Sequence, residues 1–101
     1  MDTQTLIQEA KARFNHNLAK ATLKEKYENK LIIAEQGGLW KADSNTIAFL
    51  NSFKEKNIVL LDTFGNAVSV DRKELLDKLK TVYLSVMTEW HREIQELEGK
   101  R

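Results

Sequence analysis

The sequence predicts a single α+β domain over residues 1–101, in the order helix, β-hairpin, helix, β-hairpin and long C-terminal helix. Apolar residues recur every three to four positions near both ends of the chain, which is typical of helices with one buried face. Two short apolar runs between them each precede a glycine-containing turn, as in hairpins. The chain contains no proline, which suits long helices. We therefore expect a small antiparallel sheet, of four strands if the hairpins join, packed on the helices.

The first predicted helix spans residues 3–29. Asp2 or Thr3 can accept hydrogen bonds from the free N–H groups of its first turn. Residues 15–17 (Asn-His-Asn) are weak helix formers in succession, so one long helix and two short helices both fit the pattern. The apolar residues of this segment are spaced to form one stripe, which consists of Leu6, Ile7, Ala10, Phe14, Leu18, Ala21 and Leu23 or Tyr27.

Residues 30–54 are predicted to form a strand–turn–strand–helix unit. The run Leu31–Ala34 is followed by Gly37–Gly38, which can form a two-residue turn, and by the strand Leu39–Ala42. Asp43 or Ser44 is then placed to cap a helix that ends near residue 54. The residues predicted to face inward in this unit are Trp40, Ile47, Leu50 and Phe53, with Phe49 at the edge of the helix.

Residues 57–98 repeat that order. The predicted strand 57–63 contains four consecutive apolar residues, which indicates a buried strand, and it is followed by a turn at Gly65 and Asn66 and a strand at 67–70. Asp71 is expected to cap the last helix, with Glu74 reaching back to it in a capping box. The two units align with a shift of 28 residues, which fits either an internal duplication or two chance copies of a common motif.

Composition excludes several classes of function. The absence of cysteine excludes disulfides, thiol nucleophiles and thiolate zinc sites. His16 and His91 have no second ligand at metal-binding spacing, so we predict no catalytic, cofactor-binding or metal-binding residues. The formal net charge of +1 argues against nucleic-acid binding. No apolar run is long enough to cross a membrane and no signal peptide is recognised, so we expect a cytoplasmic or virion protein without membrane contacts.

The end of the last helix is the predicted partner-binding site. A helix over residues 71–98 is about 42 Å long, which exceeds what the small sheet can cover. Its apolar stripe continues through Val86, Trp90, Ile94 and Leu97, which meet water unless another chain covers them. That chain is either a different protein or a second copy. The alternative is that the first helix packs antiparallel along the stripe and covers it.

The residues around the two turns resemble a known family. Gly38–Ser44 places a glycine and a tryptophan before a capped helix, and Leu61–Val70 places a glycine turn before the long C-terminal helix. In these features the chain resembles a small uncharacterised domain family found in tail-fibre assembly proteins of tailed bacteriophages, which also opens with a charged helix. The last helix here is richer in leucine, tryptophan and charged pairs than the alanine-rich helices of that family. The resemblance implies a phage-encoded assembly factor or chaperone, or a minor virion component.

We therefore expect a non-catalytic protein-interaction module with a role in phage tail-fibre assembly. The expected partner is a phage fibre or another virion protein, with a second copy of the chain as the other occupant. The alternative from another class is a small nucleic-acid-binding or host-takeover regulatory protein that uses the basic residues of the first helix.

Overall fold

A computed structural model describes residues 3–99 of the chain. Over this range it contains three helices and two β-hairpins in the predicted order, so the α+β class is confirmed. The elements in chain order are α1 (Thr3–Lys30), β1 (Ile32–Glu35), β2 (Gly38–Lys41), α2 (Ser44–Asn51), β3 (Asn57–Leu61), β4 (Ala67–Asp71) and α3 (Arg72–Gly99).

Helix α1 is continuous over 28 residues and has no break at residues 15–17. The weak helix propensity of that segment amounts to only about 0.5 kcal/mol per residue. Contacts with the end of α3 offset this cost, since His16 Nε2 lies 3.6 Å from Glu98 Oε1 and Lys20 Nζ lies 3.2 Å from the same oxygen. The long-helix alternative is therefore the correct one.

The first hairpin turns one residue earlier than the glycine pair predicts. Glu35 lies opposite Gly38 in the antiparallel pair β1–β2, so the turn residues are Gln36 and Gly37. Both have positive φ, at 49° and 81°, as a type I′ turn requires. The Gln36 side chain stabilises this uncommon conformation because it binds the backbone of Asp71. It accepts from the Asp71 N–H at 2.7 Å and donates to the Asp71 carbonyl at 3.2 Å.

Gly38 serves the packing of a tryptophan rather than the turn. A Cβ atom at this position would lie 2.6 Å from Cζ2 of Trp40, so the indole ring packs directly over the glycine. The Nε1–H group of Trp40 donates to the carbonyl of Glu35 at 2.8 Å. Trp40 is only 3% exposed, which confirms that it belongs to the core.

The two hairpins form separate two-stranded sheets, so the joined four-stranded sheet is not formed. They meet where the Thr63 N–H donates to the Leu39 carbonyl at 2.9 Å. The Leu39 N–H donates at 3.2 Å to Oδ2 of Asp62, a side-chain acceptor, so the bonds do not extend into a ladder. Asp62 Oδ1 also accepts from the N–H groups of Asn66 and Phe64. Hydrogen bonds from the backbone, that of Asn66 foremost, lower the pKa of Asp62.

Helix α2 begins as predicted and ends early. Asp43 is its N-cap, because Asp43 Oδ1 accepts from the N–H of Thr46 at 2.8 Å. The helix ends at Asn51, three residues before the predicted end. Ser52 follows as the C-cap, and its hydroxyl donates to the carbonyl of Phe49 at 2.6 Å. That bond gives one of the last helical carbonyls a side-chain partner.

Helix α3 begins with half of the predicted capping box. Asp71 Oδ1 accepts from the N–H of Glu74 at 3.1 Å, as expected. The N–H of Asp71 donates to Gln36 instead of to the Glu74 carboxylate. The bond that links the first turn to the start of α3 therefore replaces the reciprocal bond of the capping box.

The core lies where the first half of α3 meets α2, the two hairpins and the end of α1. Strand β3 buries only one face, since Ile58 and Leu60 pack against the core whereas Val59 and Leu61 are exposed. The prediction of a buried strand is wrong for those two residues, because a two-stranded sheet has only one side toward the core. The buried residues are Tyr27, Leu31, Trp40, Ala42, Leu50, Val70, Leu75, Leu76, Leu79 and Val86.

The described part of the molecule is elongated, with extents of 65 × 24 × 20 Å and a radius of gyration of 19.2 Å. A compact chain of this size has a radius of gyration of about 13 Å. The cause is the antiparallel packing of α1 on α3, in which Lys30 pairs with Glu89 and Lys26 with Glu93. In this register α3 ends beside residues 16–20 of α1, and residues 3–15 extend about 20 Å further.

Candidate interaction surface

The structure places two of the four predicted partner-binding residues inside the molecule. Val86 is 8% exposed and belongs to the core. Trp90 is half-buried and stacks on Tyr27, with ring centroids 5.9 Å apart and an angle of 11° between the ring planes. For Val86 and Trp90 the structure shows the alternative derived from the sequence, in which the first helix covers the stripe, because α1 packs antiparallel along this end of α3.

The other two predicted residues, Ile94 and Leu97, are half-buried at the rims of shallow grooves. Ile94 lines a depression of about 200 Å³ on one side of α3, beside Trp90 and His91. Leu97 lines a groove of about 480 Å³ between α3 and α1, opposite Leu18. They remain accessible at the edges of the α1–α3 contact; Ile94 shares its depression with the partly exposed Trp90, whereas Val86 is buried and Leu97 lines the separate groove.

Ion pairs between charged side chains link α1 to α3 along the exposed edge of their contact. Lys26 Nζ lies 3.1 Å from Glu93 Oε1, and this hydrogen-bonded ion pair raises the pKa of Lys26. Lys30 Nζ lies 3.3 Å from Glu89 Oε2. The same two ammonium groups lie 5.1 and 4.9 Å from the centroid of the Tyr27 ring, within reach of a cation–π attraction. Glu89 and Glu93 of α3 are thus ion-pair partners of α1.

An apolar surface with four exposed large side chains lies on α1 between Leu6 and Leu18. Phe14 is 66% exposed, Leu18 55%, Leu6 51% and Ile7 49%. Together with two exposed alanines they form what we call the N-terminal stripe. Its residues are Leu6, Ile7, Ala10, Phe14, Leu18 and Ala21.

The part of the N-terminal stripe from Leu6 to Phe14 lies beyond the end of α3, whereas Leu18 borders the groove that α1 forms with α3. At about 100° of rotation per residue, the six residues of the stripe fall within about 120° of the helix circumference. On the same projection Leu23 and Tyr27, which pack toward the core, lie about 160° and about 130° from the centre of the stripe. The single stripe read from the sequence is therefore two stripes on different faces of α1, and the N-terminal one is exposed.

Two basic residues flank the N-terminal stripe and are not neutralised. Lys11 and Arg13 lie about 80° to either side of its centre, and neither forms an ion pair with any residue in the described range. The remaining lysines of α1 all have carboxylate partners within 4.0 Å: Lys20, Lys24, Lys26 and Lys30.

Two smaller apolar patches lie elsewhere. One consists of Val59, Leu61 and Phe64 on the outer side of the second hairpin. The other consists of Phe49 and Leu84, beside a groove of about 340 Å³ between α2 and α3. Each has fewer exposed large side chains than the N-terminal stripe.

The two histidines lie apart from each other at different places in the described range. His16 is nine-tenths buried against the end of α3, and its Nε2 atom makes no hydrogen bond. His91 lies on the exposed side of α3. Within residues 3–99, no three histidine, aspartate or glutamate side chains come close enough to hold a metal ion. The carboxylates with the most hydrogen bonds, such as Asp62, organise turns.

None of the helices in residues 3–99 combines the length and apolar character needed to cross a membrane. No protein-family model matches the chain, and neither a curated protein nor a solved structure is similar enough to be matched.

Proposed function

We propose that this protein is a non-catalytic protein-interaction module that binds its partner through the N-terminal stripe of α1. The observation that carries the proposal is the projection of residues 3–15 beyond α3, in which Leu6, Ile7 and Phe14 are about half exposed or more, with the equally exposed Leu18 one turn further along α1. Covering four such half-exposed side chains is worth about 3–6 kcal/mol in transfer free energy. An exposed apolar surface of this kind on a helix is typical of a partner-binding site.

The helical state of the projecting segment also favours a binding role. Isolated helices shorter than about 12–15 residues are marginally stable in water. Residues 3–15 have no tertiary packing to add stability, since all of them are exposed. A partner that covers the stripe would stabilise this helix and would also bury apolar surface of the partner. The same residues would then be ordered and buried in the complex.

Within this class, the specific role that we propose is assembly of phage tail fibres, as a chaperone or as a minor virion component in the host cytoplasm or the virion. The support is the resemblance carried by Gly38–Ser44 and Leu61–Val70. A projecting apolar helix suits a factor that covers an apolar surface of a fibre protein before the fibre assembles. Co-expression with the fibre of the same phage tests this role. The yield of assembled fibre should fall when Phe14 is replaced by serine.

Photo-crosslinking from the stripe tests the wider proposal. A benzophenone amino acid at position 14, in the full chain and in its native cells, should form a covalent adduct with one defined protein. The matched control carries the same probe at Leu84, which is equally exposed at 65% but lies on α3. Equal adducts from both positions, or none from position 14, would contradict binding through the stripe.

A further inference from the structure

The N-terminal stripe has a shape that fits a second helix. Ile7, Ala10, Phe14 and Ala21 keep the heptad spacing of a helix-pairing seam, and Leu6 and Leu18 widen it. The stripe runs for about 22 Å, or four turns of helix. Ala10 between Ile7 and Phe14 leaves a hole for a large side chain of the facing helix.

We infer that the partner of the N-terminal stripe is an amphipathic α-helix whose apolar seam is flanked by carboxylates. This inference rests on the proposed function and adds the chemistry of the partner. It follows from Lys11 and Arg13, which flank the stripe on both sides and lack ion pairs among the described residues. In a helix pair these are the positions from which charges select the partner.

A second copy of the chain fits this charge pattern poorly. Two stripes that pair antiparallel about their centres place Ala10 opposite Phe14 and Leu6 opposite Leu18, which is a good match of sizes. The same alignment brings each Lys11 near the second copy's lysine, and each Arg13 near its arginine. The only acidic residue within 3–24 is Glu9, which lies about 130° from the centre of the stripe. Self-pairing therefore meets like charges on both flanks.

An anionic membrane is also a weaker match than an acidic helix. Helices that lie in membrane interfaces are rich in lysine and arginine on their polar face. Here the polar side of residues 3–15 carries two cations and Glu9. Attraction of about 1 kcal/mol per cation is too small to anchor the chain. A facing helix can instead place one carboxylate on each flank while it fills the hole at Ala10.

Two synthetic peptides test the inference with the full chain. Both carry the same leucine and isoleucine heptads, flanked by glutamate in one peptide and by lysine in the other, so that each repels its own copies. Binding is measured by fluorescence anisotropy at about 0.05 M and about 0.5 M salt. We expect the glutamate peptide to bind at least tenfold more tightly at low salt, and we expect this advantage to shrink at high salt.

Variants assign the binding to the stripe. Phe14→Gln should weaken binding of the glutamate peptide about tenfold, and Leu84→Gln, an equally exposed control, should not change it. The double variant Lys11→Glu with Arg13→Glu should reverse the preference toward the lysine peptide. Thermal melting should show that all of these variants fold, since every replaced side chain is exposed.

Each contrary outcome points to a different conclusion about the partner. If both peptides bind equally well and Phe14→Gln weakens their binding, the inference of an acidic partner is overturned. The proposed interaction surface is then still supported. Binding of neither peptide overturns the inference, while the photo-crosslink from position 14 judges the proposed function separately. A dimer in sedimentation that Phe14→Gln dissociates identifies a second copy as the occupant and overturns the inference. The inference is also overturned if the chain binds vesicles of about one-third phosphatidylserine in a Phe14-dependent way and does not bind the glutamate peptide.

Discussion

The stacking of Trp90 on Tyr27 makes the α1–α3 contact directly testable. In Trp90→Ala, the indole that lies 5.9 Å from the buried Tyr27 ring is removed. The ring would then meet water or a cavity on the side where α3 now covers it. The substitution therefore separates a structural role of Trp90 from the partner-binding role predicted from the sequence.

The expected loss of stability follows from burial. Replacing a core phenylalanine or tryptophan by alanine costs about 3–5 kcal/mol. Because Trp90 is half-buried, we expect Trp90→Ala to lower the free energy of unfolding by about 3 kcal/mol, the lower end of this range. For a chain of about 100 residues, each kcal/mol lowers Tm by about 4–8 °C, so we expect a fall of about 12–24 °C. Phe14→Ala should change the free energy of unfolding by less than about 0.5 kcal/mol, because Phe14 is exposed.

Denaturant unfolding followed by circular dichroism measures both variants under the same conditions. Trp90→Ala should lower the midpoint, and Phe14→Ala should leave it nearly unchanged. A loss below about 1 kcal/mol for Trp90→Ala would refute the reasoning, since α1 would then not depend on this contact. A large loss for Phe14→Ala would equally contradict the exposed stripe.

Three further predictions concern single residues. Gly38→Ala should destabilise the fold by about 1–3 kcal/mol, because the new Cβ meets the Trp40 ring at 2.6 Å, and thermal melting measures the loss. Asp62 has a pKa lowered from its ordinary value of 3.8, so its stabilising effect is present above that value and is lost as the pH falls through the lowered folded value. The wild type should therefore lose its stability advantage over Asp62→Asn in acid. Urea titrations that give the same difference in stability between these two proteins at pH 6 and at pH 2 would contradict this prediction. Tyr27→Phe should leave stability nearly unchanged, because the buried Tyr27 hydroxyl has no partner at full hydrogen-bond geometry and interacts only with the carboxylate of Glu93, whereas a clear loss in the same titration would show that this hydroxyl donates a strong hydrogen bond to Glu93.

Local signals in the sequence determine the order and type of the elements. Asp43 and Asp71 precede apolar periodic segments and cap α2 and α3 as predicted, because an aspartate side chain binds N–H groups only three residues away. The glycine turns and apolar runs likewise locate both hairpins to within one or two residues. These features depend on neighbours along the chain, so a single sequence is enough to predict them.

The tertiary structure decides which surfaces are covered. Gln36 can occupy the turn because its amide binds Asp71, 35 residues away, and no local pattern shows that bond. The register of α1 on α3 brings together residues as distant in sequence as Lys26 and Glu93, 67 residues apart. That register buries Val86 and stacks Trp90 on Tyr27, and it leaves the N-terminal stripe of α1 free. Helical periodicity tells which residues share a face, but only packing between distant segments determines which face meets water.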